Sequence, residues 1–210
     1  SFLRPPAKDK IMGKIHLIRH GTTEANKAKM YYGSTDVPLS NEGVDVIADL
    51  AAAKKYPKAD GAMLYTTGLL RTEQTFFLIY GCKDHRELTA LREYRFGAFE
   101  MKTHEQLEGD EAYQAWINDQ SGMTPCPEGE SPIDFRTRID AGFAEILDFH
   151  GREENRDRNS IIICHGGVIS RIMGVCFPQV AKNIFQWQPE PGRGYTIHMD
   201  GGEPVSFEEI

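Results

Sequence analysis

Short apolar runs alternate with amphipathic segments along this chain, and the alternation predicts its elements. The run at residues 160–164, Ser-Ile-Ile-Ile-Cys, has no polar alternation, which is typical of a strand buried on both faces of a parallel sheet. Residues 14–18, 62–65 and 87–90 predict three further strands. Capping or small residues predict helix starts near Thr22, Ser40, Thr67, Ser131 and Gly166.

The order of these elements predicts one α/β domain over residues 1–210 with a mainly parallel central sheet. Residues 97–129 interrupt the pattern, because they are polar and contain Pro125 and Pro127. We therefore expect an insertion at about 97–130 that caps a site. Residues 195–199 and 205–207 predict a terminal hairpin around Asp200-Gly201-Gly202.

Charge and cysteine content limit the partners. The chain has 24 Lys and Arg against 31 Asp and Glu, a net charge of −7, which repels nucleic acid. No apolar run approaches the ~18–20 residues of a membrane span, and residues 1–10 lack the apolar core of a signal peptide. The four cysteines form no CxxC pair, as in reduced cytoplasmic proteins. We expect a cytoplasmic protein with a small-molecule partner, rather than one that binds nucleic acid or a membrane.

The residues that follow the predicted strands carry the candidate chemistry, because ligands of open parallel sheets bind beyond the carboxyl ends of the strands. Arg19 and His20 follow the first strand, Arg71 comes after the second, and Glu93 after the third. The run His165-Gly166-Gly167 follows the fourth strand. These positions predict a cationic pocket within an acidic protein, which favours a small anionic substrate.

Such a pocket suits phosphoryl chemistry. Arginine side chains match phosphate oxygens with a planar fork of donors, and the amides of Gly166 and Gly167, at a helix start, add an anion site. One histidine can attack phosphorus while the second donates a hydrogen bond to the developing charge. A carboxyl group can protonate the leaving oxygen and then activate water.

Other chemistries fit the sequence less well. The chain has no GxxxxGK[ST] loop, no GxGxxG after a strand, no HExxH, and no GxSxG around Ser170. His16, His20 and His165 offer a possible metal site. Arg19 and Arg71 would repel a cation there, so we expect no metal.

Six segments, in order, resemble the signatures of the histidine phosphatase superfamily, the phosphoglycerate mutase-like proteins. They are Leu17-Ile18-Arg19-His20-Gly21-Thr22 with Asn26 downstream, the run 33–43 (GSTDVPLSNEG), Leu70-Arg71-Thr72-Glu73-Gln74-Thr75, the run 91–97 (LREYRFG), Glu128-Gly129-Glu130-Ser131, and His165-Gly166-Gly167. The Arg-His-Gly triplet alone is a weak signal, whereas the ordered set is specific.

The resemblance implies a fold and a set of roles. The family fold is a three-layer α/β/α sandwich with a mainly parallel sheet. By resemblance, His20 is the nucleophile that becomes phosphorylated, Glu93 is the proton donor, and no metal or organic cofactor takes part. The resemblance also implies that three residues clamp the phosphoryl group, namely Arg19, Arg71 and His165. It implies minor phosphate contacts for Thr23 and Asn26.

Departures from the family pattern bear on the reaction. Cofactor-dependent mutases of the family carry arginine directly after the catalytic glutamate and have a longer basic insertion, whereas this chain has Tyr94 and few cations in residues 97–129. We therefore expect a histidine acid-type phosphatase, a phosphomonoesterase that hydrolyses a small phosphorylated metabolite through a covalent phosphohistidine. The alternatives are a cofactor-dependent phosphoglycerate mutase and a non-catalytic sensor of a phosphorylated ligand. Glu100 is the alternative proton donor.

Overall fold

A six-stranded sheet forms the centre of the computed structural model, which describes residues 13–210. The strand order is β3-β2-β4-β1-β5-β6. Strands β1 to β4 pair in parallel, while β5 runs antiparallel to β1 and β6 antiparallel to β5. The strands are β1 (Lys14–Arg19), β2 (Met63–Thr66), β3 (Arg86–Glu87), β4 (Asn159–Cys164), β5 (Gly194–Asp200) and β6 (Glu203–Glu209).

Seven α-helices surround or extend from this sheet within residues 13–210. They are α1 (Glu24–Lys27), α2 (Asn41–Ala52), α3 (Leu70–Tyr80), α4 (His104–Leu107), α5 (Glu111–Ile117), α6 (Pro132–Gly151) and α7 (Gly166–Cys176). As predicted, the Ser40 and Ser131 side chains cap α2 and α6. Helix α3 ends at Gly81.

The sheet has a separate apolar core on each face. In β4, Ile161 and Ile163 pack with Phe76 of α3 on one face. Ile162 and Cys164 join the larger core on the other face, with residues of α6 and α7. Because successive side chains of a strand point to opposite faces, this partition gives two helical layers around one sheet. The predicted three-layer α/β/α sandwich with a strand β4 buried on both faces is confirmed.

The predicted third strand is present, but its bounds of 87–90 are wrong. Strand β3 contains only Arg86 and Glu87, both exposed at the sheet edge, and residues 89–91 form a 3₁₀ turn. The Leu88 amide still donates to the Thr66 carbonyl, and Leu91 then donates to Leu88. The turn buries Leu91 completely in the core, which a continued edge strand would not do.

Two predicted helix caps are also displaced. Helix α1 is capped by Thr23, which forms a capping box with Asn26, and the preceding Thr22 is not the cap. Helix α3 starts after Leu69, which makes no side-chain cap. The Thr67 hydroxyl contacts His165 Nε2 at 2.9 Å and Thr72 Oγ1 of α3 at 3.3 Å, so it bonds to side chains and does not cap the helix.

Residues 97–130 pack beside the loop that follows α1. The segment contains α4, α5 and a 3₁₀ turn at Gly97–Phe99. The rings of Tyr113 and Trp116 lie 5.8 and 5.9 Å from Tyr31, and the Met101 amide donates to the Tyr31 carbonyl at 2.7 Å. The hairpin of β5 and β6 turns at Gly201 and Gly202, both with positive φ, as predicted. In the described part of the chain, no helix combines the length and apolar character needed to cross a membrane.

Candidate active site

The two candidate histidines follow neighbouring parallel strands at the same level. Arg19 of β1 pairs with Cys164 of β4, so His20 and His165 each come one residue later. The His20 amide donates to the Cys164 carbonyl at 3.0 Å. Adjacent strands lie about 4.8 Å apart, and the two imidazole rings are accordingly 5.3 Å apart between centroids. The register of the sheet therefore brings both histidines to one site.

Burial keeps the His20 imidazole neutral. The side chain is buried, and burial, followed by the charges of Arg71 and Arg19, lowers its pKa well below the ordinary value. Its Nδ1 donates to the Gly21 carbonyl at 2.7 Å, since a carbonyl oxygen can only accept. The proton of the neutral ring is thus on Nδ1, and Nε2 carries the lone pair, as a nucleophile needs.

Arg71 is completely buried beneath the loop at residues 33–35. Its Nη2 donates to the Gly33 carbonyl at 2.8 Å, and its Nη1 donates to the Thr35 carbonyl at 3.1 Å. Its guanidinium also lies 4.9 Å from the centre of the Tyr32 ring. These contacts fix the guanidinium next to His20, whose pKa it lowers.

Three buried nitrogen atoms of this site have no hydrogen-bond partner within residues 13–210. They are Arg19 Nε, Arg71 Nε and His165 Nδ1. Arg19 also donates through Nη1 to the Pro189 carbonyl at 2.7 Å, and the other nitrogen of His165 contacts Thr67. Leaving a buried donor unsatisfied costs about 1–3 kcal/mol. Three such atoms around one histidine indicate a site for a ligand with several acceptor oxygens.

Glu93 lies beside the start of α7. Its Oε2 accepts a hydrogen bond from the Gly167 amide at 2.9 Å, and its Oε1 accepts one from the Tyr94 amide at 3.0 Å. The negative charge of Glu93 also opposes the lowering of the pKa values of Arg19 and Arg71 that burial causes. Glu93 is therefore within the same electrostatic site, although it follows a 3₁₀ turn and not a strand.

Glu100, the alternative proton donor, anchors a loop. Its carboxylate accepts hydrogen bonds from the Gly33 and Ser34 amides at 3.1 and 2.7 Å, and from both the amide and the hydroxyl of Thr35. The Phe96 amide donates to it at 3.3 Å. A carboxylate with this many donors holds the 33–35 loop against Arg71 and is poorly placed to protonate a leaving group.

The remaining predicted substrate contacts, Thr23, Asn26 and Gly166, lie in two places. The Thr23 hydroxyl lies 2.9 Å from Tyr32 Oη and 3.1 Å from Asn26 Oδ1, so it braces neighbouring side chains. The Asn26 oxygen also accepts from the Thr23 amide at 3.0 Å, which leaves the Asn26 NH₂ as its donor for a ligand. Gly166 opens α7 directly after His165.

The possible three-histidine metal site is not present in the part of the chain that the structure describes. Residues 13–210 contain no group of three or more His, Cys, Asp or Glu side chains arranged to hold a metal ion. His16 contacts the Thr196 hydroxyl at 2.9 Å and lines a separate cavity of about 490 Å³ with Lys14 and Lys55.

Several residues that build the site were not predicted from the sequence. Backbone carbonyls of Gly33, Thr35 and Pro189 hold the two arginines, and carbonyl positions leave no signal in a sequence. Thr67, which contacts His165, was predicted only to cap a helix. Arg138 and Glu130, which contact the loop that carries Glu93, were not singled out, although Glu130 lies within a family-like segment.

Comparisons with known proteins agree with this geometry. A sequence model of the histidine phosphatase superfamily (branch 1) matches residues 15–207. The adenosylcobalamin/alpha-ribazole phosphatase of Salmonella typhimurium is 28% identical over 193 residues, which cover 90% of this chain and 92% of that protein. A 2,3-bisphosphoglycerate-dependent phosphoglycerate mutase of Corynebacterium diphtheriae is 30% identical over 146 residues, 64% of this chain and 56% of that one.

The fold comparison gives the same result. A crystal structure described as a putative alpha-ribazole-5′-P phosphatase from Escherichia coli aligns with a TM-score of 0.79 over 95% of both chains, at 23% identity. At that identity the likeness concerns the fold alone. Together with the family match over nearly the whole chain, the ordered motifs and the paired histidines, it leads to one conclusion: the chain belongs to the histidine phosphatase superfamily.

Proposed function

We propose that this protein is a phosphomonoesterase that hydrolyses a small phosphorylated metabolite through a phosphohistidine on His20. The observation that carries the proposal is the set of unpartnered buried nitrogens on Arg19, Arg71 and His165 around a neutral imidazole. A phosphoryl group has several acceptor oxygens and a negative charge, so it satisfies these donors and the two guanidinium charges together.

The reaction has two balanced steps. His20 Nε2 attacks phosphorus, an N–P bond forms, the ester P–O bond breaks, and Glu93, which enters this step as the neutral acid, gives its proton to the leaving oxygen. Water then attacks the phosphorylated His20, Glu93 takes a proton from it, and inorganic phosphate leaves as the N–P bond breaks. The Gly21 carbonyl holds the Nδ1 proton throughout, which keeps Nε2 aimed at the substrate.

The surrounding donors stabilise the phosphoryl charge. Arg19 and Arg71 bind the equatorial oxygens, and the Thr67 hydroxyl donates to His165 Nε2, which leaves the Nδ1 proton of His165 for the phosphoryl group. The Asn26 NH₂ and the Gly166 amide add weaker contacts, and Thr23 acts by bracing Asn26. General acid catalysis typically supplies only ~10²–10⁴ of the rate, so positioning and charge stabilisation supply most of the acceleration.

The mutase alternative is less well supported. A mutase must hold a second anionic group, yet Tyr94 is buried with its hydroxyl donating to the Glu130 carbonyl at 2.6 Å. Lys102, a lone lysine in residues 97–130, donates to the Ala98 carbonyl.

The sensor alternative is also less well supported. A sensor needs only the groups that bind phosphate, whereas this site also contains the candidate nucleophile His20 and the candidate acid Glu93, which two backbone amides hold in place. The four free thiols support the cytoplasmic location that we propose.

Release of inorganic phosphate tests the function. The purified protein is assayed in EDTA over a panel that includes α-ribazole phosphate, the kind of ester named for the Salmonella relative, phosphorylated sugars and p-nitrophenyl phosphate. A phosphatase releases phosphate, a mutase mainly isomerises phosphoglycerate, and a sensor does neither. Loss of activity in EDTA that zinc or manganese restores would contradict the proposal.

The nucleophile is tested by substitution. His20→Ala is expected to abolish turnover and the acid-labile ³²P label on the protein, because the substitution removes the Nε2 atom that attacks phosphorus. His150→Gln, at a buried histidine that contacts Ser160, is the control and should keep both. Wild-type turnover by His20→Ala would rule out the covalent mechanism.

A further inference from the structure

Glu93 is held on a segment with little regular structure. The 3₁₀ turn at Thr89–Leu91 ends two residues before it, and residues 92–96 belong to no helix or strand. A proton donor must lie within about 2.6–3.2 Å of the atom that it protonates. An additional constraint is therefore needed to keep this backbone in place.

We infer that Arg138 and Glu130 are positioning residues that hold the Glu93 backbone in its catalytic place. Arg138 Nη1 donates to the Ala90 and Arg92 carbonyls at 2.8 and 2.9 Å. Its Nη2 donates to the Glu93 carbonyl at 3.3 Å and to Glu130 Oε1 at 2.5 Å, and its Nε donates to Glu130 Oε2 at 3.3 Å. These bonds use the five N–H donors of one guanidinium.

Glu130 fastens the other side of the same loop. Its side chain is almost fully buried, and Oε1 accepts from the Arg95 amide at 3.0 Å. Its amide donates to the Arg95 carbonyl at 3.0 Å, and its carbonyl accepts from Tyr94 Oη at 2.6 Å. Residues on both sides of Glu93 are thus bound to one ion pair.

The cost of this ion pair favours a positioning role. A buried ion pair is often no more stabilising than apolar residues of the same volume, because both charges lose their hydration. The pair here contacts the carbonyl groups of Ala90, Arg92 and Glu93 instead of packing only against apolar side chains. A displacement of about 1 Å at a catalytic group can cost ~10²-fold in rate, so a rigid fork at this point has a direct catalytic consequence.

The inference rests on the proposed function, and its test uses the leaving group. Arg138→Met retains the length of the side chain and removes every donor. We expect its kcat/KM on an alkyl phosphate to fall ~10–100-fold, with a much smaller fall on p-nitrophenyl phosphate, whose leaving group needs little protonation. Inhibition by inorganic phosphate should change far less, because Arg138 makes its hydrogen bonds to Glu130 and to backbone carbonyls and acts on His165 only through its charge.

Two further variants control for folding. Arg138→Lys keeps the charge but cannot reach three carbonyls and a carboxylate at once, so it should show the same selective loss in milder form. Arg171→Met removes a different ion pair to the same helix, with Asp140 at 2.5 Å, and should leave both esters unaffected. If Arg138→Met fails to fold, Arg138→Lys decides the question.

The outcomes separate this inference from the proposed function. Glu93→Gln combined with Arg138→Lys should lose no more alkyl-phosphate activity than Glu93→Gln alone, because both changes act through one proton donor. Equal losses on both esters, or fully additive losses, would overturn the positioning role while the phosphatase stands. Wild-type protein that hydrolyses neither ester would overturn the proposed function itself, and this inference with it.

Discussion

Individual side chains in this site have their chemical states set by their neighbours. His20 is neutral because it is buried between two arginines that disfavour a further positive charge, and the Gly21 carbonyl selects the Nδ1 proton. Glu93 accepts hydrogen bonds from two backbone amides. Glu100 has more donors still, from three successive residues of one loop and from Phe96. Two glutamates seven positions apart thus separate into the proposed proton donor, Glu93, and a loop anchor, Glu100.

Glu93→Gln tests this separation. The amide cannot protonate a leaving group, so kcat/KM on an alkyl phosphate is expected to fall ~10²–10⁴-fold. The loss on p-nitrophenyl phosphate should be far smaller, because nitrophenolate leaves without much protonation. The measurement is the ratio of the two constants, with Glu111→Gln on the exposed face of α5 as the control. An equal loss on both esters would make Glu93 a residue that positions substrate or water.

The sequence predicted the residues that carry chemistry better than the residues that hold them. His20, Arg71 and His165 could be found because they follow apolar runs and form ordered motifs. The contact between Arg138 and Glu93 spans 45 positions, and that between Glu100 and Ser34 spans 66. Neither contact leaves a pattern in the sequence, because in each of them a charged side chain bonds to a backbone group of a distant segment.

Elements of regular structure were predictable where burial and pattern agree. Strand β4 is apolar on both faces and lies within the sheet, whereas β3 is a two-residue edge strand of exposed Arg86 and Glu87. The end of an edge strand is set by packing, here by the burial of Leu91, and not by local propensity. The displaced cap at Thr67 has a similar cause, because a contact with the distant residue His165 orients its side chain.

The loops around the site are coupled by close backbone approach. Gly33 lies so near the 93–95 loop that a Cβ at this position would overlap the Tyr94 carbonyl. The Gly33 carbonyl also accepts from Arg71, and its amide donates to Glu100. One glycine therefore joins the loop that holds Arg71 to the loop that carries Glu93.

Gly33→Ala is expected to force these two loops apart. Overpacking of this kind costs about 1–3 kcal/mol of stability, and the weakened Arg71 contact should raise the Ki of inorganic phosphate ~5–10-fold, the equivalent of about one hydrogen bond. Urea unfolding and phosphate inhibition measure the two effects. Gly109→Ala, where a Cβ meets nothing within 4 Å, is the matched control. Wild-type phosphate inhibition in Gly33→Ala would show that the loops are not coupled.

At the scale of the whole molecule, an acidic protein contains a cationic site. The net charge is −7, while Arg19, Arg71 and two histidines meet at the carboxyl ends of β1 and β4. Buried histidines also occur outside the site, because His16 and His150 are buried as well. Burial lowers the pKa of each of these two to about 4, with Lys14 and His198 adding to the effect at His16.

The stability of the fold should therefore depend on pH through its buried histidines. An unfolded histidine takes up a proton near pH 6.5, whereas His16 and His150 stay neutral in the folded chain down to about pH 4. The unfolded state thus binds more protons between these values, and stability is lost as the pH falls from 6.5 toward 4.

Each of these two histidines should account for a loss of about 1 kcal/mol between pH 7 and 5.5, and His20 and His165, whose pKa values are also lowered, add to it. Urea unfolding at a series of pH values measures the fall, with a plateau expected above pH 7. His150→Gln and His16→Gln each remove one group that protonates on unfolding, so each should flatten the profile by its own share. The same fall in both variants as in the wild-type protein would mean that other groups, carboxylates foremost, control acid stability.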